Sequence, residues 1–153
     1  MPTLVNLRFK QVVDDTVCHC CRYGEDDVSH VFRFCPTAIE IWKMLDLSWV
    51  NNSMIQSFWD WLTWIFKRST HKQCRLFCCG MWLLWGSRNK LMHERKIELG
   101  KELSMKVLRY LVEIDGLTER RNTLNTVRSA NQRDRNPRVW WRQKLMMDFM
   151  QLN

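Results

Sequence analysis

Four residues near the start of the chain could bind one metal ion together: Cys18, Cys21, His30 and Cys35. Cys18-x2-Cys21 is a pair whose turn brings two sulfurs within reach of a single ion. After eight intervening residues, His30-x4-Cys35 supplies an imidazole and a third thiolate. Such a Cys/His set suits zinc in a four-coordinate structural role. With every position filled by protein, none remains for a water, so hydrolysis at this metal is not expected. The short polar run Tyr23 to Asp27 fits a loop between the ligand pairs. Val31, Phe32 and Phe34 give a small knuckle something to pack, and metal binding would supply folding energy that so small a core lacks. His19 and Cys20 are surplus donors, and either could compete for the ion. The other three cysteines, Cys74, Cys78 and Cys79, sit at i, i+4 and i+5 in an apolar helical stretch. Only His71 and His93 are near them in sequence, so they read as core.

No further chemistry stands out. No nucleophile–base arrangement is recognisable among the remaining residues. His93-Glu94 lacks the second histidine of a metalloprotease helix, and no glycine-rich phosphate loop occurs. An enzyme is not expected.

These residues carry a resemblance. Cys18, Cys21, Asp26, His30, Cys35, Pro36, Ala38 and Trp42 resemble the zinc-binding domain found downstream of the reverse transcriptase in plant LINE-type (non-LTR) retrotransposon polyproteins. Pro2-Thr3-Leu4-Val5-Asn6-Leu7 is similar to that family's L-P-T-x-x-N-L run, with Met1 where its first leucine would stand. Trp82-Leu83-Leu84-Trp85-Gly86-Ser87-Arg88-Asn89-Lys90 resembles the W-x-x-W-x-x-R-N segment that links the zinc domain to an RNase H domain. The three blocks occur in the family's order and cover most of residues 1–94. Asp26 replaces the usual Glu, and Asp27 stands where Ser or Thr is usual. The resemblance implies a structural zinc, an origin in a retroelement, and a chain that stops before the RNase H domain. Lys144 to Asp148 is faintly similar to that domain's entry, but Asp148 is followed by Phe149. One carboxylate cannot supply a two-metal nuclease site.

The elements that must position the site are mainly helical. The expected architecture is mainly α, a small N-terminal zinc knuckle followed by a helical bundle-like extension. Residues 1–35 read as arm and knuckle, mostly loop with a short hairpin. Pro36 suits a first helical turn, and Ile39, Ile41, Trp42 and Leu45 give that helix an apolar face to about residue 47. Asn51-Asn52-Ser53 reads as a break and N-cap, followed by an apolar helix over 54–67. Residues 68–71 read as a turn. A long helix over about 72–97 is expected to be interrupted or tightly packed at Gly80 and Gly86. Leu103, Val107, Tyr110, Ile114, Leu117 and Leu124 form a heptad-like seam over 101–128. That seam predicts packing on the tryptophan-rich helices, with a coiled-coil dimer as the sharper alternative. Residues 129–138 read as a polar linker. The expected domains are 1–50, 51–128 and 129–153.

Charge bears on partners. The chain of 153 residues carries +8 overall, is 46% hydrophobic, and has only 5 Gly and 3 Pro, which disfavours a disordered tail or a turn-rich β-sandwich. Residues 1–66 hold 5 Lys/Arg against 8 Asp/Glu, net −3, whereas residues 67–153 hold 19 against 8, net +11. A basic half favours an anionic partner such as nucleic acid; solvated helix faces would give the same balance. Most of the nine tryptophans lie at helical spacing beside Leu, Ile and Phe and read as core. Trp140 and Trp141, flanked by Arg138, Arg142 and Lys144, are candidates to stack on bases. Residues 1–10 lack the apolar run of a secretory signal, and Leu76 to Gly86 is too short to span a bilayer. An intracellular, reducing setting is therefore expected, with free thiols rather than disulfides. The functional expectation is a zinc-binding module assisting nucleic-acid binding. Docking on reverse transcriptase, self-association and a retroelement relic are the other readings.

Overall fold

The computed structural model describes residues 3–51 and 54–128, with side chains described as far as Arg120. The chain divides between Arg109 and Tyr110, inside the last of the described helices, into two compact units. The first, Pro2–Arg109, carries the knuckle and most of the described helices.

The fold is mainly helical, as expected from the sequence. Helix α1 (Leu4–Phe9) lies in the arm that the sequence presents as loop. Thr3 caps it by accepting from the Asn6 amide at 3.3 Å, which supplies a start signal that the apolar pattern lacks. Helix α2 (Pro36–Met44) opens with Pro36 at its first position and buries Ala38, Ile41 and Trp42. Its chain reverses at Asp46, whose φ of 57° is left-handed, and Leu47 returns its amide to the Trp42 carbonyl at 2.7 Å.

Helix α3 (Phe58–Arg68) starts later than the sequence suggests. Its cap is Ser57, which accepts from the Asp60 amide at 3.4 Å, rather than Ser53. Helix α4 (His71–Glu94) begins with a reciprocal cap: Thr70 accepts from the Gln73 amide, and the Gln73 side chain accepts from the Thr70 amide. It ends at Arg95, with a left-handed φ of 55°. The helix is continuous through both glycines. A Cβ on Gly80 would lie 2.6 Å from a Trp42 ring carbon, so glycine there permits close approach to α2, whereas a Cβ on Gly86 would meet nothing within 4 Å.

The core gathers aromatic rings from these helices. Trp42 and Trp61 are fully buried, and each packs against Phe77, Trp42 tilted at 5.1 Å and Trp61 edge-on at 5.5 Å between centroids. Each also satisfies its indole N–H. Trp42 donates to the Phe32 carbonyl at 2.8 Å and Trp61 to the Val50 carbonyl at 2.6 Å. Of the other tryptophans, Trp59 and Trp82 are exposed. Helix α5 (Gly100–Arg128) buries Leu103 and Val107 in the first unit. Beyond Arg109, along the same seam, Leu117 is 64% exposed.

Candidate metal centre

The knuckle is built by a narrow chain reversal. Val17 and Glu25 form an isolated antiparallel bridge, flanked by bonds from the Cys18 amide to the Gly24 carbonyl and from the Asp26 amide to the Thr16 carbonyl, both 2.7 Å. This is the short hairpin in reduced form. Inside it, the Arg22 amide donates to the Cys18 carbonyl at 2.8 Å, and Arg22 takes a left-handed φ of 61°. The turn presents Cys18 and Cys21 on one side.

The second ligand pair comes from a π-type turn, His30–Phe34. Its i→i+5 bond joins the Cys35 amide to the His30 carbonyl at 2.7 Å. Residues five apart diverge on an α-helix but return toward one side on a π turn. The x4 spacing between His30 and Cys35 therefore requires this winding. Asp27 starts it, accepting from the His30 amide at 2.7 Å. That capping role suits Asp, one of the common N-cap residues.

The four predicted ligands converge. One donor atom each from Cys18, Cys21, His30 and Cys35 lies within 4.8 Å of every other, a group that could hold a metal ion. Cys18 and Cys35 are buried, while Cys21 and His30 are half-buried. The Cys21 Sγ and His30 Nε2 are 3.1 Å apart. The surplus donors His19 and Cys20 are not in this group. Gly24 abuts the imidazole, because a Cβ there would lie 2.5 Å from His30 Nδ1. Sequence reasoning missed Gly24, since its role depends on space around a residue six positions away.

The thiols and the imidazole shift one another's proton affinities. A hydrogen bond to Cys18 raises His30 to about 9 against the opposing effect of burial, with Cys21 adding to the rise. Burial pushes the Cys21 thiol up, but the Tyr23 and Gly24 amides and His30 outweigh it and bring it to about 7. For Cys35, a hydrogen bond with Cys18 acts downward, yet Cys20 and burial leave the thiol at about 11. Cys20, hydrogen-bonded to Cys18, is pushed up to about 12. The cavity behind Cys18 and Cys35 holds about 10 Å³, room for at most a water.

Asp26 anchors the knuckle from within. It is 1% exposed and forms an ion pair with Arg88 of α4. Among the other cysteines, Cys79 is buried in the helical core, as the sequence implies, and burial raises its thiol to about 11. The candidate base-stacking residues Arg138, Trp140, Trp141, Arg142 and Lys144 lie outside the described residues. Among the described residues, no helix is long and apolar enough to cross a membrane. Comparison with protein-family models, with curated proteins and with solved structures finds no match for this chain.

Proposed function

We propose that this chain is a structural zinc module that assists nucleic-acid binding and has no catalysis of its own. The observation that carries the reading is the closed Cys18, Cys21, His30 and Cys35 group. Three sulfurs and one imidazole favour zinc over the oxygen-seeking magnesium or calcium. Four protein donors leave no open position for a reacting water. The excess of +11 over residues 67–153 supports a polyanionic partner. The similarity to the zinc-binding domain of LINE-type polyproteins, carried by residues 1–94, supports the same role and an intracellular setting.

The test is zinc per chain in protein purified without added metal, wild type beside His30→Ala. One zinc in the wild type, lost in the variant, is expected. Well-folded wild type without zinc would overturn the assignment. A second reading, self-association or docking on a protein, is favoured by the exposure of Val112 and Leu117 on α5, 71% and 64%. A fixed dimer in sedimentation that binds no nucleic acid would establish that reading instead.

A further inference from the structure

Cys20 stands outside the four-ligand group, yet it lies against two of its members. Its side chain is in hydrogen-bond contact with both Cys18 and Cys35. Cys35 in turn meets Cys18 and Cys20. Three sulfurs therefore touch pairwise. The fold brings them together from two directions. Cys18 and Cys20 belong to the turn closed by the Arg22 amide on the Cys18 carbonyl, whereas Cys35 stands at the N-cap of α2.

The same three residues line the cavity of about 10 Å³. Val31, Leu84 and Leu103 give it apolar walls, and among the described residues neither a carboxylate nor an imidazole lines it. Cys18 and Cys35 are buried, and Cys20 is set deeper than Cys21. Cys21 is engaged elsewhere: its sulfur accepts from the Tyr23 amide at 3.5 Å and lies 3.1 Å from His30 Nε2. The knuckle thus offers two overlapping donor sets. One completes itself with Cys21 and the half-buried imidazole, the other with the inward sulfur of Cys20.

The two sets suit different ions. Three sulfurs without a fourth donor do not satisfy the tetrahedron of zinc. Harder ions want oxygen ligands and retained water, which this lining does not supply. A soft monovalent ion is satisfied by a few thiolates alone.

We propose that Cys18, Cys20 and Cys35 form a second, all-sulfur metal site that takes copper(I), and that it excludes zinc because the two sites share Cys18 and Cys35. The proposal goes beyond the zinc reading above and has only those two ligands in common with it. It gives the surplus thiol of the knuckle a use that the zinc site does not.

The experiment adds copper(I), as its acetonitrile complex and without oxygen, to the full chain, with bicinchoninate as chromophoric competitor and a zinc indicator present. Wild type should release one zinc for each copper(I) bound. Cys20→Ser should keep its zinc while its copper(I) affinity falls by at least about tenfold, the smallest loss expected when a metal ligand or its support is removed. His30→Ala and Cys21→Ser should do the reverse, losing zinc and keeping wild-type copper(I) affinity. The thermal midpoint of zinc-loaded Cys20→Ser serves as the folding control. X-ray absorption at the copper edge reads the wild type directly, without a variant, and should show sulfur ligands only. Wild-type copper(I) affinity in Cys20→Ser, with the loss in Cys21→Ser instead, would overturn the site and place the ion on the zinc thiolates. A nitrogen ligand at copper, or failure of the wild type to hold copper(I) against the competitor, would also overturn it, and would leave the zinc reading intact. A wild type that purifies without zinc but binds copper(I) through Cys20 would overturn the zinc reading and support this one.

Discussion

Asp26 and Arg88, 62 residues apart in the chain, meet in a buried ion pair that fixes the knuckle to α4. Arg88 Nε donates to Asp26 Oδ1 at 3.2 Å, and Nη2 donates to Oδ2. The same Oδ2 accepts from the Leu4 amide at 2.9 Å. One carboxylate therefore ties together the first turn of α1, the metal knuckle and the long helix. Arg88 also donates to Asn89 Oδ1 at 3.1 Å and lies 4.9 Å from the centre of the Trp85 ring.

Breaking this pair leaves one buried charge without its partner. Asp26→Asn and Arg88→Met should each destabilise the chain by about 3–5 kcal/mol, measured by urea unfolding. The double variant Asp26→Leu with Arg88→Met should recover much of that loss, because neither charge then stays buried. Single variants within about 1 kcal/mol of wild type would mean the pair behaves as a solvent-screened surface bridge.

Ligand assignment is separable from cysteine content. Cys35→Ser should lower metal content and unfold the knuckle. Cys78→Ser, on α4 and outside the group, should leave the metal unchanged. Cys20→Ser should likewise retain the metal, since Cys20 touches Cys18 without joining the group. Metal analysis on the three variants decides the matter: equal losses throughout would refute the four-ligand assignment.

Gly24→Ala tests the packing around the imidazole. The added Cβ would stand 2.5 Å from His30 Nδ1 and 2.6 Å from Cε1, so the ring must move. A metal site tolerates little displacement of a ligand. Metal affinity should fall by about tenfold or more, in the range seen when the groups that orient a ligand are lost. Competition with a chromophoric chelator measures this. Affinity equal to wild type would show that the knuckle yields without displacing His30.

Much of this architecture is legible in the sequence, and the reasons differ by element. The ligand set is carried by residue type and close spacing, both local properties. Helix α2 announces itself through Pro36 and its apolar face. Helix α1 does not, because it is short and held by the Thr3 cap and by Asp26, a residue far along the chain. The sequence leaves the start of α3 ambiguous, because Ser53 and Ser57 offer the same capping chemistry. Packing rather than pattern selects between them: Trp61 and Ile65 must face the core. The partnership of Asp26 with Arg88 has no local signature at all. The unequal roles of Gly80 and Gly86 are likewise set by whether Trp42 lies opposite, which no spacing rule reveals.

Protons and metal must compete at this site, and the direction is fixed by the shifts. His30 is raised to about 9, so its contribution to metal-free stability is complete below its ordinary value of 6.5 and lost as pH rises through about 9. Cys21 is lowered to about 7, so its contribution is complete above its ordinary value of 9.0 and lost as pH falls through about 7. In the metal-free chain the imidazolium and the thiolate therefore coexist between about 7 and 9. A bound metal needs thiolates and a neutral imidazole, so binding must expel the His30 proton and those of the remaining thiols. Apparent metal affinity should rise with pH from about 6 to 8, with protons released on binding. Calorimetry in buffers of different ionisation enthalpy measures both quantities. His30→Ala should release fewer protons while binding more weakly. A pH-independent affinity across this range would show that neither His30 nor the ligand thiols hold protons before the metal arrives.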